Sequence, residues 1–325
     1  MKKLFVPIIF SFILLLGACG ESASNNKDTS SHSSTTTSQE TASDTSADSS
    51  AAQTGTRVYE SENGPVDVPA NPQRVVVITR FLTGNVMLLG VPLVGVDEMS
   101  KDNPNFADKL KDVEVVAEDS VEKIMELEPD LIIGLSDIKN IDKFKQIAPT
   151  VTYTYGKVDY LTQQIEIGKL LNKEKEAQAW VDDFTARATK AGEDIRAKIG
   201  DDATVSVIET FNKQLYVYGN NFGRGTEILY QPFGLKMPKK VEEATATDGF
   251  FALSSEVMGD YFGDYVIFSK NADEDNSFQD TTTYKNTTAA TNNHVFEADA
   301  KAFYFNDPLS MEYQLQFFID HFLGE

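Results

Sequence analysis

The sequence predicts an α/β protein of two Rossmann-like lobes with parallel-type sheets, joined by one long α-helix. Short apolar segments of strand length alternate with helical segments over residues 57–172 and again over 201–325, a pattern typical of βαβ units. Between them, residues 173–199 contain no proline and carry apolar residues at three- and four-residue steps, which indicates a continuous amphipathic helix. We assign 173–200 as the linking helix. A long surface helix within a single domain is the alternative.

The first lobe contains five apolar, β-branched segments of strand length. The runs at 74–79 and 130–134 predict buried strands, the first of them parallel. Residues 90–97 are a turn that leads into a second strand, 113–116 is a short β-branched segment, and 150–155 is a further strand. Helices are predicted at 84–89, 120–128 and 140–147. Ser120 is placed to cap the second of these helices, although Lys123 stands where a full capping box has Glu.

The second lobe repeats the alternation. Strands are predicted at 205–209, 215–218, 264–270 and 294–297, and a helix at 225–230. The chain closes with an aromatic-rich helix over 310–323, whose core face carries Phe317, Phe318, Ile319 and Phe322.

The amino terminus has the features of a secretory signal. Lys2 and Lys3 precede an apolar run over 4–16, and small residues follow it. This run is too short to be a good membrane span. Cys19 directly follows Gly17 and Ala18, which resembles the lipobox of bacterial lipoproteins. The resemblance implies that residues 1–18 are removed and that Cys19 receives a diacylglyceryl group, whose two acyl chains anchor stably. An ordinary signal peptide with an incidental cysteine is the alternative.

Residues 19–56 are expected to form a disordered tether. From 20 to 56 there are 19 Ser or Thr and no aromatic or branched aliphatic residue, so the segment has nothing with which to form a core. Cys19 is the only cysteine, so the folded part has no disulfide. The net charge of −21 argues against nucleic acid as a partner and against electrostatic attachment to an anionic membrane. Its plainest interpretation is solubility.

Three segments resemble one family. They are 72–77 (PQRVVV), 89–95 (LGVPLVG) and 128–133 (EPDLII), and they resemble the periplasmic-type binding proteins of iron-siderophore and vitamin B12 ABC importers. The resemblance implies a helical-backbone binding-protein fold with its ligand in a cleft between the lobes. It also implies a monomer without cofactor or catalysis, lipid-anchored at the outer face of the cell membrane of a Gram-positive bacterium. Its partners would be a ferric siderophore and an ABC permease dimer with a cytoplasmic ATPase.

A motif in the second lobe narrows the resemblance. Residues 216–219 (YVYG) and 221–227 (NFGRGTE) look like the hydroxamate-siderophore branch, in which an aromatic residue and an arginine of this motif face the ligand. Carried over, these are Phe222 and Arg224. Relatives often have Trp where Phe222 stands, so an indole N–H donor is missing here.

A ferric hydroxamate offers oxygen acceptors and apolar linkers, so its receptor needs aromatic walls and a few donors. Arg224 brings a planar fork of donors, and Arg80, just past the first strand, is expected on a cleft-facing loop. The candidate walls are Tyr216, Phe222, Tyr155 and Phe305. Three of these residues have a specific alternative. Arg224 pairs with Glu227 near a helix start, Phe305 belongs to the core, and one of Tyr216 and Tyr218 faces the core.

Two glutamates match the positions at which this family docks onto arginines of its permease. They are Glu122 and Glu256, each two residues after a serine that is expected to open a helix, where the helix dipole favours a carboxylate. An ordinary first-turn glutamate is the alternative.

Several other functions compete. Catecholate complexes carry a charge of −3 and need a cluster of cations, whereas the candidates here are Arg224, Arg80 and, with less support, Lys101. A bare-metal receptor needs several histidines with carboxylates, and the chain has only His32, His294 and His321. Haem, held by a Met or His294, and cobalamin stay open. No nucleophile elbow, P-loop or metal-binding His pair indicates an enzyme. A structural adhesin fits the leader and tether, but it does not require two lobes.

Overall fold

Two five-stranded sheets, linked by one long helix, form the frame of the protein. The structure is a computed structural model and describes residues 55–324. The proposed signal peptide, Cys19 and nearly all of the proposed tether lie outside the described residues. The first strand begins at Thr56, at the end of the segment that was expected to be the tether.

The first sheet has the strand order β5-β4-β3-β6-β7, and all its strands are parallel. Its strands are β3 (Val75–Val77), β4 (Leu93–Val96), β5 (Glu114–Val115), β6 (Leu131–Leu135) and β7 (Thr150–Tyr153). All five correspond to the predicted strands. The hairpin of β1 (Thr56–Ser61) and β2 (Gly64–Pro69) precedes them and was not predicted, although its Tyr59 packs into the core of this lobe.

Short helices connect these strands. They are α1 (Thr83–Leu88), α2 (Glu98–Asp102), α3 (Ala107–Leu110), α4 (Val121–Glu126), α5 (Ile141–Ile147) and α6 (Tyr160–Leu170). Ser120 precedes α4 but makes no side-chain cap, because its hydroxyl accepts a hydrogen bond from the Ala117 N–H instead. The expectation that Ser120 caps this helix was wrong.

The linking helix is present as predicted. Helix α7 (Glu174–Ile199) runs for 26 residues and buries one face, on which Phe184, Ala188 and Ile195 are fully enclosed. The helix ends at Gly200, whose φ of +98° takes the chain out of helical geometry. The fold is therefore two lobes joined by one long helix.

The second sheet is mixed, with the order β10-β9-β8-β11-β12. Its strands are β8 (Val205–Phe211), β9 (Gln214–Tyr218), β10 (Phe250–Leu253), β11 (Tyr265–Lys270) and β12 (Val295–Asp299). Strands β8, β11 and β12 are parallel, whereas β9 is antiparallel to both β8 and β10. Only Asn212 and Lys213 separate β8 from β9, and a two-residue turn permits a hairpin but no parallel crossover. The expected parallel arrangement is therefore wrong for β9.

The helices of the second lobe cover both faces of this sheet. They are α8 (Thr226–Tyr230), α9 (Lys239–Thr245), α10 (Thr282–Lys285), α11 (Thr288–Thr291), α12 (Ala300–Phe303) and α13 (Pro308–Leu323). Short 3-10 turns lie at Met258–Asp260 and Ser277–Asp280. Helix α13 buries Phe317, Phe318 and Phe322, in agreement with the predicted core face.

Helix α13 also fastens the two lobes together. Its Leu309 packs against the first-lobe cluster around Phe106. Gly84 of α1 lies so close to Asp307 that a Cβ there would overlap the Asp307 carboxylate. That carboxylate is buried and caps α13 by accepting hydrogen bonds from the N–H groups of Leu309 and Ser310. Burial raises its pKa above the ordinary aspartate range.

Candidate functional site

The candidate site lies between the two lobes, and we call this space the cleft. The first lobe contributes Phe81 and Tyr155, each a few residues after the carboxyl end of a parallel strand. The second lobe contributes the segment after β9. A pocket between them is lined by Phe81, Asn85, Tyr155 and Gln163 from the first lobe and by Asn221 and Asn306 from the second.

Arg224 is presented by an unusual turn. Gly223, Arg224 and Gly225 all have positive φ, at 68°, 56° and 78°. An arginine in this region is strained, whereas glycine is not. The turn is held because the Arg224 N–H donates to the Phe303 carbonyl at 2.9 Å.

The partner of Arg224 is Glu209, near the carboxyl end of β8. Arg224 Nη2 lies 2.8 Å from Glu209 Oε1, and Arg224 Nε lies 3.1 Å from Oε2. The side chain of Glu209 is fully buried and that of Arg224 is 14% exposed. Ser269, which is the register partner of Glu209 on β11, donates its hydroxyl to the same carboxylate. The alternative that Arg224 pairs with Glu227 was therefore wrong.

Glu227 instead supports the turn from behind. Its buried carboxylate accepts hydrogen bonds from the Gly223 N–H, the Thr226 hydroxyl and the Asn306 amide. Burial raises the pKa of Glu227, although these three donors act in the opposite direction. The carboxylate thus ties the arginine turn to the segment before α13.

Internal contacts limit what Arg224 can offer a ligand. A guanidinium has five N–H donors. Two bind Glu209, and Nη1 donates a third to the Phe222 carbonyl at 3.1 Å. Two donors remain, one on each terminal nitrogen. The edge formed by Nε and Nη2 is already occupied, so the expected fork of donors is smaller than the sequence indicated.

Aromatic rings surround this guanidinium. Arg224 Cζ lies 4.5 Å from the centre of the Tyr218 ring, 5.3 Å from Tyr304 and 5.9 Å from Phe222. We call these three rings the ring cage. Phe222 stacks on Tyr218 at 5.4 Å and contacts Phe250 at 5.2 Å. Phe222 and Arg224 therefore lie side by side.

Sequence reasoning missed three of these neighbours. Tyr304 and Phe250 were not singled out, and Glu209 was seen only as a strand residue. Strand β10, which carries Phe250, was not predicted because three of its four residues are exposed and it shows no alternation. The only indication of the ring cage in the sequence was that Tyr218, Phe222 and Arg224 lie within seven residues of one another.

Tyr216 and Tyr218 share one face of β9, because residues two apart on a strand point the same way. The reasoning that only one of them faces the core was wrong. Both pack against the same core cluster, with Tyr218 3% exposed and Tyr216 half-buried. Tyr216 contacts Phe250 at 5.8 Å, so it lies at the edge of the aromatic surface around Phe222.

Phe305 and Tyr155 differ in what they expose. Phe305 is 3% exposed, so its ring has little surface for a ligand and the core alternative describes it better than a wall. Its ring meets Phe81 edge-on at 6.1 Å, which joins the lobes. Tyr155 is 55% exposed and lies 4.4 Å from Phe81. Phe81 is thus a first-lobe cleft ring that was not predicted.

Arg80 lies on the cleft side of the first lobe. It is exposed, and its Cζ lies 4.9 Å above the Phe81 ring. Among residues 55–324, no carboxylate forms an ion pair with it. The pKa of Tyr155 is raised by desolvation and by the charge of Glu227, while Arg224 and Arg80 oppose this shift. The charges of Glu227, Arg224 and Arg80 therefore all act on the part of the cleft that Tyr155 lines.

Lys101 is not a cleft cation. Its ammonium donates to the carbonyls of Leu110, Lys111 and Val113.

The two candidate docking glutamates are both exposed. Glu122 lies in the first turn of α4, whereas Glu256 lies in a turn before a short 3-10 helix. The expectation of a helix end was wrong for Glu256.

Two wider features of residues 55–324 complete the description. No group of three or more His, Cys, Asp or Glu side chains in this range is arranged to hold a metal ion. None of the helices described is both long and apolar enough to cross a membrane.

Known proteins with similar sequences are binding proteins. The iron(3+)-hydroxamate-binding protein FhuD of Bacillus subtilis (strain 168) is 34% identical over 312 residues, which cover 94% of both chains. The iron(3+)-hydroxamate-binding protein YxeB of the same organism is 32% identical, covering 98% of this chain and 97% of that protein. Both are named for binding a ligand, in agreement with the binding role expected from the sequence.

Solved structures with the same fold include FhuD2 from Staphylococcus aureus with bound ferrioxamine B. It has a TM-score of 0.74 and 34% identity, and covers 78% of this chain and 99% of that one. A periplasmic binding protein component of a ferrichrome ABC transporter from Bacillus subtilis has a TM-score of 0.75 and 35% identity, covering 81% and 99%. The periplasmic binding protein family matches residues 75–302. With two lobes, a linking helix and a cleft between them, this chain belongs to the periplasmic binding protein family.

Proposed function

We propose that the protein captures ferric hydroxamate siderophores in the cleft and delivers them to an ABC importer for iron uptake. The observation that carries this proposal is an arginine held in the ring cage with its charge neutralised from behind by Glu209. Phe222 and Tyr304, which are only partly buried, supply contact area for apolar linkers, whereas Tyr218 is buried beside the guanidinium. The two remaining N–H donors suit the oxygens that surround Fe³⁺. The names of the relatives in Bacillus subtilis support the same ligand class.

The charges around the cleft favour hydroxamates over catecholates. Arg224 and Glu209 together carry no net charge, and buried Glu227 adds no positive charge. Arg80 is then an exposed cleft cation that forms no ion pair with a carboxylate among residues 55–324, and the carboxylate of Asp97 lies near enough to interact with its charge. A complex of charge −3 would meet too little positive charge, whereas a neutral or cationic hydroxamate does not need it. Haem and cobalamin have no specific observation in their favour.

Parallel titrations test the ligand class. We expect ferrioxamine B to quench the intrinsic fluorescence with a dissociation constant at least about 100-fold lower than that of a ferric tris-catecholate. Trp180 lies on the linking helix, where its indole donates to Glu312, so quenching by iron rather than a local contact should dominate the signal. The iron-free hydroxamate is the control. Equal affinities, or no binding of ferrioxamine B, would contradict the proposal.

Lipid anchorage at Cys19 and delivery to a permease are part of the same proposal. Among the relatives, a probable siderophore-binding lipoprotein of Bacillus subtilis is 28% identical over 323 residues. Glu122 and Glu256 are exposed on different lobes and have no ion-pair partner among residues 55–324, so both are free to meet arginines of a permease.

Charge reversal separates docking from ligand capture. The double variant Glu122→Lys/Glu256→Lys is expected to abolish uptake of ferric siderophore by cells and to leave the dissociation constant unchanged, because both residues lie outside the cleft. A control variant with Glu126→Lys and Glu242→Lys makes the same charge change at exposed positions of the same two lobes, which likewise have no ion-pair partner among residues 55–324, and should transport normally. Unimpaired uptake in the first variant would refute the docking roles.

A further inference from the structure

Glu209 is a fully buried carboxylate in a place where the fold does not require a charge. It lies on β8, with Ser269 beside it on β11 and Tyr216 beside it on β9. All three face the core cluster that underlies the ring cage. Burying a carboxylate is costly, and apolar pairs of similar volume stabilise a core at least as well. A function beyond packing is therefore worth seeking for this side chain.

The Glu209 carboxylate contacts the Arg224 guanidinium and the Ser269 hydroxyl. Oε1 and Oε2 accept from Arg224 Nη2 and Nε at 2.8 and 3.1 Å, and Ser269 donates to Oε2. The carboxylate itself is out of reach of a ligand, since none of its side chain is exposed. Its negative charge nevertheless acts through the guanidinium, within a few ångströms of the two free N–H donors.

We propose that Glu209 sets the charge selectivity of the cleft by neutralising Arg224. This inference rests on the proposed siderophore-binding function and deepens it. The arginine then works as a hydrogen-bond donor with no net charge to offer. The affinity of a complex then depends on the shape and the oxygen atoms of its iron centre. Anionic complexes gain no Coulomb attraction from Arg224. Glu209 is a positioning and charge-masking residue, and it does not itself touch the ligand.

A matched set of ligands measures this directly. Ferrioxamine B carries a pendant ammonium; acetylating that amine makes the complex neutral, and succinylating it makes the complex anionic, with the same iron centre throughout. The readout is the ratio of the affinities for the anionic and cationic forms. Because this ratio compares ligands on one protein, it is insensitive to a uniform loss of binding.

The variant Glu209→Gln removes the charge and keeps the side-chain length. We expect the anionic-to-cationic affinity ratio to rise at least about tenfold over that of the unchanged protein at low salt, and to fall back towards it at about 1 M salt, where the Debye length is about 3 Å. Glu209→Asp keeps the charge and shortens the reach, so it should weaken all three ligands without changing the ratio. Glu297→Gln is the control, because Glu297 lies in the same lobe and pairs with Lys270 instead of Arg224.

A double variant covers the case in which Glu209→Gln does not fold. Glu209→Gln/Arg224→Gln buries no charge, and its ratio should equal that of the unchanged protein, because both carry zero net charge at this position. If Glu209 does not neutralise Arg224 in the unchanged protein, the double variant loses an active positive charge, and its ratio should be lower instead. An unchanged ratio in Glu209→Gln, or a lowered ratio in the double variant, overturns the inference. Failure of the unchanged protein to bind any of the three ligands would instead reject the proposed function.

Discussion

Replacing Arg224 with alanine is expected to lower the free energy of unfolding by about 3–5 kcal/mol, the cost of breaking a buried ion pair. The loss is large because the Glu209 side chain is fully buried, so its carboxylate would keep only the Ser269 donor. Chemical denaturation measures this effect. In the fraction that stays folded, the affinity for ferrioxamine B should fall by a further 1.5–3 kcal/mol, about the range for a hydrogen bond from a charged group.

An exposed ion pair provides the control. Lys270 and Glu297 lie 2.8 Å apart with side chains 37% and 42% exposed, so Lys270→Ala should change stability by less than about 1 kcal/mol. A loss for Arg224→Ala no larger than for Lys270→Ala would mean that the Arg224–Glu209 pair contributes nothing beyond a surface contact. An unchanged affinity would remove Arg224 from the binding site.

The second large effect is expected from Gly223→Ala. Gly223 has a φ of +68°, and a Cβ there would overlap the Tyr304 carbonyl oxygen. A backbone oxygen has little room to move, so the turn that presents Arg224 must shift. We expect a stability loss of at least about 2 kcal/mol, from backbone strain of about 1–2 kcal/mol plus the overlap, and a loss of ligand affinity of at least about tenfold.

Gly156→Ala isolates the backbone contribution to that result. Gly156 has nearly the same φ, +73°, lies beside Tyr155 in the cleft, and has no atom within 4 Å of its missing Cβ. It should therefore show only the backbone strain of about 1–2 kcal/mol, without the overlap. If Gly223→Ala and Gly156→Ala lose equal stability, the close approach to Tyr304 has no energetic consequence and the turn is more tolerant than the structure indicates.

Local pattern was sufficient for most elements of the fold. The run at 74–79 predicted β3 because a strand buried on both faces has to be apolar throughout, and all of Val75–Val77 is buried. The 173–199 periodicity predicted α7 because a helix that buries one face repeats its apolar residues at that spacing. Strand β10 and the first hairpin escaped detection because exposed or short edge strands need no such pattern.

The sequence by itself determined the two-lobed α/β fold, the long linking helix and the aromatic-arginine motif at residues 221–227, because each depends on neighbours in the chain. Only the tertiary structure decided that Arg224 pairs with Glu209 and not with Glu227, and that Phe305 is buried between the lobes while Tyr155 is exposed. These outcomes depend on which strands lie side by side and how closely the lobes pack. The residues that meet in these contacts are distant in the sequence, so the local spacing of apolar residues cannot predict which of them pair.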